Sequence, residues 1–438
     1  MLVPQEDLEV IFDGDVVVIG GGAAGIAAAV SAARNGAKTL LVEQRGFAGG
    51  TGAFMPIPAF APYTDGIHVV SKGIAFEILE KTLKESNKDL QQMNGDNLDW
   101  VTIDTEAYKR VCDELIQSNN VEVLFHTSCI RTLCEDGVIN AIVIANKNGR
   151  SIVKGKVYID ATGDADLVYM AGSPVTYGEG DSTVQPGTMC FVVSGIDKEK
   201  TMEYINTYDD PQFSRLVIEA QEKGDIPKGR KRVSSFSWVT NTTASFNFGH
   251  VYGVDGTDAK SLTAGDIEGR QLAKIYTQFL KKYVPGFENA NLIHTGDQVG
   301  IRESRKIVAD YNMRVDDFKN KTDFEDEIAR NCYFIDVHLP NQDSKMVMEY
   351  LPEGESHGIP YRCMIPINLK NLLVAGRTVG SDRLINSALR VMPNCFTIGQ
   401  AAGVAAYLSA KDNKYCREID VKKMQSLLVE QGAWIKEK

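Results

Sequence analysis

The chain has 438 residues, 43% hydrophobic and 24% charged, the composition of a soluble globular protein built from two or three units. Its net charge is -11 and it has no long Lys/Arg block, which argues against nucleic acid or an anionic membrane as the main partner. The eight cysteines are scattered and none forms C-x-x-C, so no disulfide framework, zinc site or iron–sulfur run is expected, no metal is expected, and the thiols suit a reducing cytoplasm.

The start, Met1 to Phe12, is short and acidic. It has no basic segment followed by an apolar one, so no signal peptide is expected; nowhere does an apolar run reach the length of a bilayer span. Val16-Val17-Val18-Ile19 then reads as a strand that runs directly into Gly20-Gly21-Gly22-Ala23-Ala24-Gly25, a G-x-G-x-x-G at a strand end. Ile26 to Arg34 reads as an Ala-rich helix closed by Asn35-Gly36, and Thr39-Leu40-Leu41-Val42 as a second strand ending on Glu43. Strand, glycine turn, helix, strand and terminal acid together form a dinucleotide-binding βαβ unit. Gly22 lets the backbone approach a pyrophosphate, the helix N-terminus favours its charge, and Glu43 is placed for ribose hydroxyls.

The Gly49-Gly50 doublet lets backbone pass close to a large cofactor. Lys72 to Glu85 and Thr105 to Gln117 read as helices, the second capped by Asp104. Val121 to Phe125, Val138 to Ala145, Ser151 to Val153 and Lys156 to Asp160 read as strands, and the last ends on a second small-residue turn, Ala161-Thr162-Gly163-Asp164. From about residue 171 the texture changes. Thr188 to Ser194, Val233 to Trp238, Ala244 to Gly249 and Cys332 to His338 look like strands, and Ala264 to Tyr283 like a helix capped by Thr263 with Pro285 past its end. Asn371 to Ala375 is a buried strand ending in Gly376-Arg377. Gly399-Gln400-Ala401-Ala402-Gly403 opens another small-residue helix, and Val421 to Gln431, capped by Asp420, closes the chain.

Gly20 to Gly25, Glu43, Gly49-Gly50, Ala161-Thr162-Gly163, Gly376-Arg377 and the Gly399 helix together resemble the FAD-dependent oxidoreductases of the glutathione-reductase-like, two-dinucleotide-binding-domain superfamily. Gly300-Ile301-Arg302-Glu303-Ser304-Arg305, Asp336-Val337-His338 and Ile359-Pro360-Tyr361-Arg362-Cys363 are similar to the bacterial family labelled simply FAD-dependent oxidoreductase. The resemblance implies an α/β fold: a discontinuous Rossmann-like FAD-binding domain, residues 1–170 and 361–438, around an inserted α+β substrate domain, 171–360, with a mostly antiparallel sheet. It implies FAD contacts at Gly20, Gly22, Ala24 and Gly25, with Ile19 and Ala23 beside them; at Glu43, Gln44 and Arg45 for the adenosine; and at Gly49, Gly50 and Thr51 along the pyrophosphate and ribityl chain. Cys129, Ala161, Thr162 and Gly163 would line the adenine side, Gly376 and Arg377 the ribityl–pyrophosphate region, and Gly399, Ala401 and Ala402 the pyrimidine edge of the ring.

Three departures from the related disulfide reductases narrow the chemistry. Arg377 stands where they carry an acid, so an acid for the ribityl region must come from elsewhere or be absent; their redox cysteine pair is missing; and no second G-x-G-x-x-G marks an NAD(P)H domain. The histidine-rich segment that holds flavin covalently in fumarate reductases is not recognisable, so FAD is expected to be non-covalent. His338 is the candidate acid or base, with a structural histidine at a strand end as the plain alternative. Arg302 and Arg305 lie three residues apart, where a helical turn would bring them to one side to clamp oxygens; Arg362 and Arg390 are further substrate-binding candidates. Cys395 before the last FAD helix reads as a buried thiol and His357 as an exposed loop residue. The implied activity is hydride exchange between the flavin and a small oxygen-rich substrate, sugar-like or carboxylate, with an unidentified electron partner. A homo-oligomer is compatible with this. Three alternatives stay open: a flavoprotein subunit of an electron-transfer complex, an enoate reductase with an Arg as proton donor, and FAD as a structural or sensing ligand.

Overall fold

A run of buried valines and a run of buried alanines organise the chain. The computed structural model describes residues 7–88, 98–179, 183–338 and 347–436. The first six residues of the Met1–Phe12 stretch and the Leu339-Pro340 pair after His338 lie outside them. The strand Val10–Ile19 ends in Val16-Val17-Val18-Ile19, apolar on both faces because both faces are covered. It runs parallel to Thr39–Val42 on one side and Gly149–Asp160 on the other. These three belong to a seven-stranded sheet, with Glu122–Leu124 beyond Thr39–Val42, and with Val138–Asn146 and Ser128–Glu135 continuing antiparallel beyond Gly149–Asp160. The stretches 151–153 and 156–160, expected as separate strands, are one strand. Its first half pairs with Val138–Asn146; its second half gives that edge to Leu372–Val374, which returns in parallel from far along the chain. Ile19 pairs with Asp160, and the Ala161 amide donates to the Ile19 carbonyl at 2.8 Å. The two small-residue turns therefore lie side by side.

The helix Ala23–Arg34 packs against Met392–Asp412 almost backbone to backbone. A Cβ on Gly399 would stand 2.1 Å from the Ala24 carbonyl oxygen, and one on Gly403 2.3 Å from that of Ala28. The Ser31 hydroxyl crosses the seam to donate to the Gln400 carbonyl at 2.8 Å. The expectation that a helix opens at Gly399 is corrected here. The helix opens at Met392, with Pro393 in its first turn, where a missing N–H costs nothing.

Between these halves stands a four-stranded antiparallel sheet in the order Asn291–Thr295, Phe191–Ser194, Thr243–Asn247, Ser235–Thr240. One of its faces carries a stack of rings, Phe191, Phe246, Phe236 and Phe213, with centroids 5.3–5.4 Å apart. The long helix Ala259–Tyr283 begins earlier than the pattern suggested. Asp258 caps it by accepting from the Ser261 amide, while Thr263 turns its hydroxyl back onto the Ala259 carbonyl. Of the stretch 332–338 only Ile335–Val337 is strand, paired with Val347–Glu349. The result is a mixed α/β architecture: one mixed sheet with additional antiparallel sheets. Among the described residues no helix is long and apolar enough to cross a membrane.

The seam makes a stability prediction. Gly399→Ala forces a methyl into the Ala24 carbonyl, and we expect a loss of about 1–3 kcal/mol as the helices are pushed apart. Denaturant unfolding measures it; a variant as stable as the parent would show that the helices do not meet this closely.

Candidate active site

A cavity of about 370 Å³ starts at the glycine turn and runs to the edge of the antiparallel sheet. Its near end is shaped by absent side chains. Gly20 has φ +96°, the left-handed region that favours glycine, and a Cβ there would stand 2.4 Å from the Ala161 carbonyl oxygen. Gly25 must be bare because the Gly20 carbonyl oxygen lies 1.7 Å from its Cβ position. Gly22 differs: the sole atom near its Cβ position is the Gly50 Cα, at 3.8 Å, so the space there is open cavity. No side chain caps the helix that starts behind Gly22, and such a start leaves N–H donors and a positive partial charge to be satisfied. Glu43 is buried; its oxygens accept from the Gly21 amide at 2.6 Å and the Arg45 amide at 2.7 Å, which holds it against the turn. Asp160, fully buried, accepts from the Thr162, Leu167 and Val168 amides and the Thr162 hydroxyl, and so folds the second turn. Burial raises its pKa in spite of those donors.

Most of the expected cofactor residues line this cavity: Ile19, Gly20, Gly22, Ala23 and Ala24; Glu43, Gln44 and Arg45; Gly50 and Thr51; Cys129; Ala161, Thr162 and Gly163; Gly376 and Arg377. Gly25 and Gly49 stand behind the wall and shape it. Gly399, Ala401 and Ala402 do not reach it; they are interior positions of the helix seam. The wall that they were expected to supply comes instead from that helix's own start, Val391, Met392 and Cys395, where again no side chain caps the amides. Arg45 leaves the near end, stacks on Phe54 at 4.0 Å and hydrogen-bonds Gln298. Arg377 pairs with Asp164 at 2.9 Å, so an acid does stand beside the Gly376-Arg377 turn, supplied by the second small-residue turn. Its signal was the Asp that ends Ala161-Thr162-Gly163-Asp164.

The far end gathers charge. Arg302, His338, Asp336, Tyr333 and Arg390 all line it. Arg302 is 9% exposed and is fixed by donating to the Pro186 carbonyl at 2.7 Å and the Thr188 hydroxyl at 2.8 Å. Burial, then the charge of Arg390, pulls its guanidinium down to about 9, so it is charged at neutral pH. The Asp336 carboxylate accepts from His338 Nε2 at 3.3 Å and from Arg390 at 3.3 Å. Burial acts to raise Asp336, but the His338 hydrogen bond and the charges of Arg390 and Arg302 outweigh it and hold the acid well below the usual carboxylate range. His338 Nδ1 meets His250 Nε2 at 2.8 Å and an Arg230 nitrogen at 3.2 Å. Burial, then the charge of Arg302, pushes the His338 ring down to about 3 and the His250 ring to about 2. Both rings are neutral near pH 7, and both nitrogens of His338 are engaged within the protein. His250, Arg230 and Tyr333 were not foreseen: they sit on separate segments with no spacing to link them.

Other expectations are corrected. Residues 302–305 make no helical turn. Arg305 starts the strand Arg305–Ile307, so its side chain diverges from Arg302, pairs with Asp166 and stacks on Tyr169 at 4.5 Å, off the cavity wall. Arg362 is half exposed and forks onto Asp326 at 2.9 and 3.2 Å, away from the site. His357 is fully buried on the strand His357–Pro360, where burial pushes its ring down to about 4. Cys395, by contrast, is the buried thiol expected of it, inside the helix start, and burial pushes it up to about 12.

Residues 15–428 match the sequence pattern of the family described as FAD dependent oxidoreductase. No curated protein matches the chain. Among solved structures it is similar to a geranylgeranyl bacteriochlorophyll reductase-like protein from Thermoplasma acidophilum, at 13% identity over 96% of this chain and 84% of that one, TM-score 0.49. It is also similar to p-nitrophenol 4-monooxygenase from Pseudomonas putida DLL-E4, at 12% identity over 96% and 84%, TM-score 0.45. A third is L-proline dehydrogenase from P. horikoshii, at 11% identity over 96% and 98%, TM-score 0.45.

The buried neutral histidines set an acid limit on stability. The unfolded chain binds their protons below about pH 6.5, whereas His250, His338 and His357 stay neutral in the fold to far lower pH. Their contribution is complete above pH 6.5 and is lost as pH falls. Between pH 6.5 and 5 each should cost up to about 1.4 kcal/mol per pH unit, and His357→Gln should remove one share of that slope. Denaturant unfolding at pH 7 and pH 5 checks it; equal stability at both would contradict the burial of these rings.

Proposed function

We propose a reaction from one premise: the chain belongs to the FAD dependent oxidoreductase family and takes FAD as its cofactor. The reaction is hydride exchange with a small, oxygen-rich substrate carrying a carboxylate. The observation that carries it is that Arg302 and Arg390 both line the far end of the cavity beside the Asp336 carboxylate. Two guanidiniums beside one ionised acid leave a positive site, and a planar anion is what such a fork binds best. Sugar oxygens satisfy it less well.

The chain's residues fit the cofactor. The open space at Gly22 and the uncapped helix behind it suit a pyrophosphate. Glu43, flanked by Gln44 and Arg45, would take the ribose and adenine, with Cys129, Ala161, Thr162 and Gly163 beside them. Gly49, Gly50, Thr51, Gly376 and Arg377 would follow the chain towards the ring, which the start of Met392–Asp412 would meet with its amides. FAD, when bound, supplies the hydride acceptor or donor. Arg302 then orients the substrate's carboxylate, seconded by Arg390, and His338 exchanges a proton with the substrate oxygen or carbon through its hydrogen-bonded partner Asp336. The FAD-binding part is read as residues 1–170 and 361–438, with 171–360 as the substrate-binding part. Its support is that Leu372–Val374 joins the first sheet while Arg230, Arg302 and His338 all come from between.

An anaerobic screen of hydroxy acids, sugars and enoates for flavin bleaching or reoxidation tests the substrate class; a response confined to neutral sugars would reject the anion reading. Four further outcomes are expected. The protein releases FAD, not FMN, on denaturation, and Gly22→Val yields a folded but colourless protein, because its Cβ meets nothing nearer than the Gly50 Cα at 3.8 Å and its side chain fills the cavity. Normal flavin content in Gly22→Val would move the pyrophosphate elsewhere. His338→Ala keeps its flavin but slows flavin reduction by roughly 10²–10⁴-fold, and Arg302→Lys already weakens substrate binding because Lys lacks the planar fork. Parental turnover in His338→Ala would remove it from the chemistry.

A further inference from the structure

Behind the far wall lies a second cavity of about 190 Å³, lined by Arg230, His250, Tyr252, Glu268 and Tyr276 among others. One hydrogen-bonded chain crosses the wall between the two. The Tyr252 hydroxyl meets His250 Nδ1 at 3.2 Å, His250 Nε2 meets His338 Nδ1 at 2.8 Å, and His338 Nε2 meets Asp336 at 3.3 Å. Tyr252 and His250 face the second cavity; His338 and Asp336 face the first.

The charged groups at its sides fix the direction of every bond. Asp336 is ionised and can only accept, so the His338 proton is on Nε2. Arg230 can only donate, and its nitrogen lies 3.2 Å from His338 Nδ1, so Nδ1 carries the lone pair. His250 must then carry its proton on Nε2 to donate to the same atom, which leaves its Nδ1 to accept from Tyr252. Burial keeps both rings neutral, one proton each, as this pattern requires. Each donor along the chain points from the second cavity towards the first.

We propose that Tyr252, His250 and His338 form a proton conduit that delivers protons from the second cavity through the His338–Asp336 pair to the substrate cavity. The proposal rests on the proton role of His338 given above. In one passage the Tyr252 hydroxyl proton moves to His250 Nδ1, the His250 Nε2 proton to His338 Nδ1, and the His338 Nε2 proton by way of Asp336 to the substrate atom that gains it, which leaves Asp336 ionised as it began. A hydronium ion or buffer acid in the second cavity refills Tyr252. One proton enters, one arrives, and no electron moves. Reorientation of the two rings restores the starting pattern. Tyr252 and His250 touch no substrate; they are positioning and supply groups. The polarity suits a reaction in which the substrate gains a proton with its hydride, which is reduction of a polarised double bond.

The test needs no substrate. In the FAD-loaded protein with histidine labelled at the ring nitrogens, NMR should find both His338 and His250 protonated at Nε2 at neutral pH. Exchange of the His338 ring proton with water should slow roughly tenfold in Tyr252→Phe, the rate cost of about one lost hydrogen bond, with flavin content unchanged. His250→Gln, which keeps a polar side chain there, should slow it at least as much. A proton on His338 Nδ1, or exchange as fast in both variants as in the parent, overturns the conduit. Parental turnover in His338→Ala combined with slowed exchange in Tyr252→Phe would instead reject the proposed reaction while upholding the conduit.

Discussion

The close approach of two helix backbones is the constraint on which the rest depends. Ala23–Arg34 and Met392–Asp412 lie far apart in the chain, yet Gly399 and Gly403 let their backbones meet with no side chain between. That contact aims both uncapped helix starts into one cavity. It also fixes Arg390, just ahead of the second helix, beside Asp336. Leu372–Val374 adds to the first sheet on the way, so Gly376 and Arg377 reach the same wall. A larger residue in the seam would shift each of these features together, because interiors this dense transmit displacement and do not absorb it.

The cavity is polarised along its length. At the near end, carboxylates are held by backbone amides: Glu43 by those of Gly21 and Arg45, Asp160 by those of the second turn. At the far end, guanidiniums outnumber acids, and Asp336 is held ionised among them. Burial, aided by the same field, keeps His338 and His250 neutral. The basicity of His338 is therefore not that of an isolated imidazole; it belongs to the group of five side chains that includes Asp336 and the three arginines. A proton placed there must be shared out by hydrogen bonds, which is why the direction of those bonds bears on function.

Local chemistry was legible wherever neighbours in sequence do the work. The glycine turn, its helix, the terminal Glu43 and the Ala161-Thr162-Gly163 turn could be read because glycine spacing and strand runs act over a few residues. So could the caps at Asp104 and Asp420. Errors came where tertiary contact decides. One miss was local: Asp258 took the cap from Thr263 because its carboxylate reaches the Ser261 amide three residues on. Arg305 left Arg302 because the segment is extended and Asp166 attracts it. His357, in a polar-looking stretch, is buried because its strand pairs with Glu327–Asn331.

The sequence by itself determined the strand–glycine turn–helix–strand unit, the family and FAD, since these rest on short, rigid spacings. The tertiary structure alone decided the far end of the site. Arg230, His250, Tyr252, Arg302, Asp336, His338 and Arg390 come from segments spread over more than a third of the chain, and no periodicity links them. Their convergence follows from where the antiparallel sheet and the helix seam set the backbone. Their charge states follow from burial and from one another, quantities that exist only once the chain is folded.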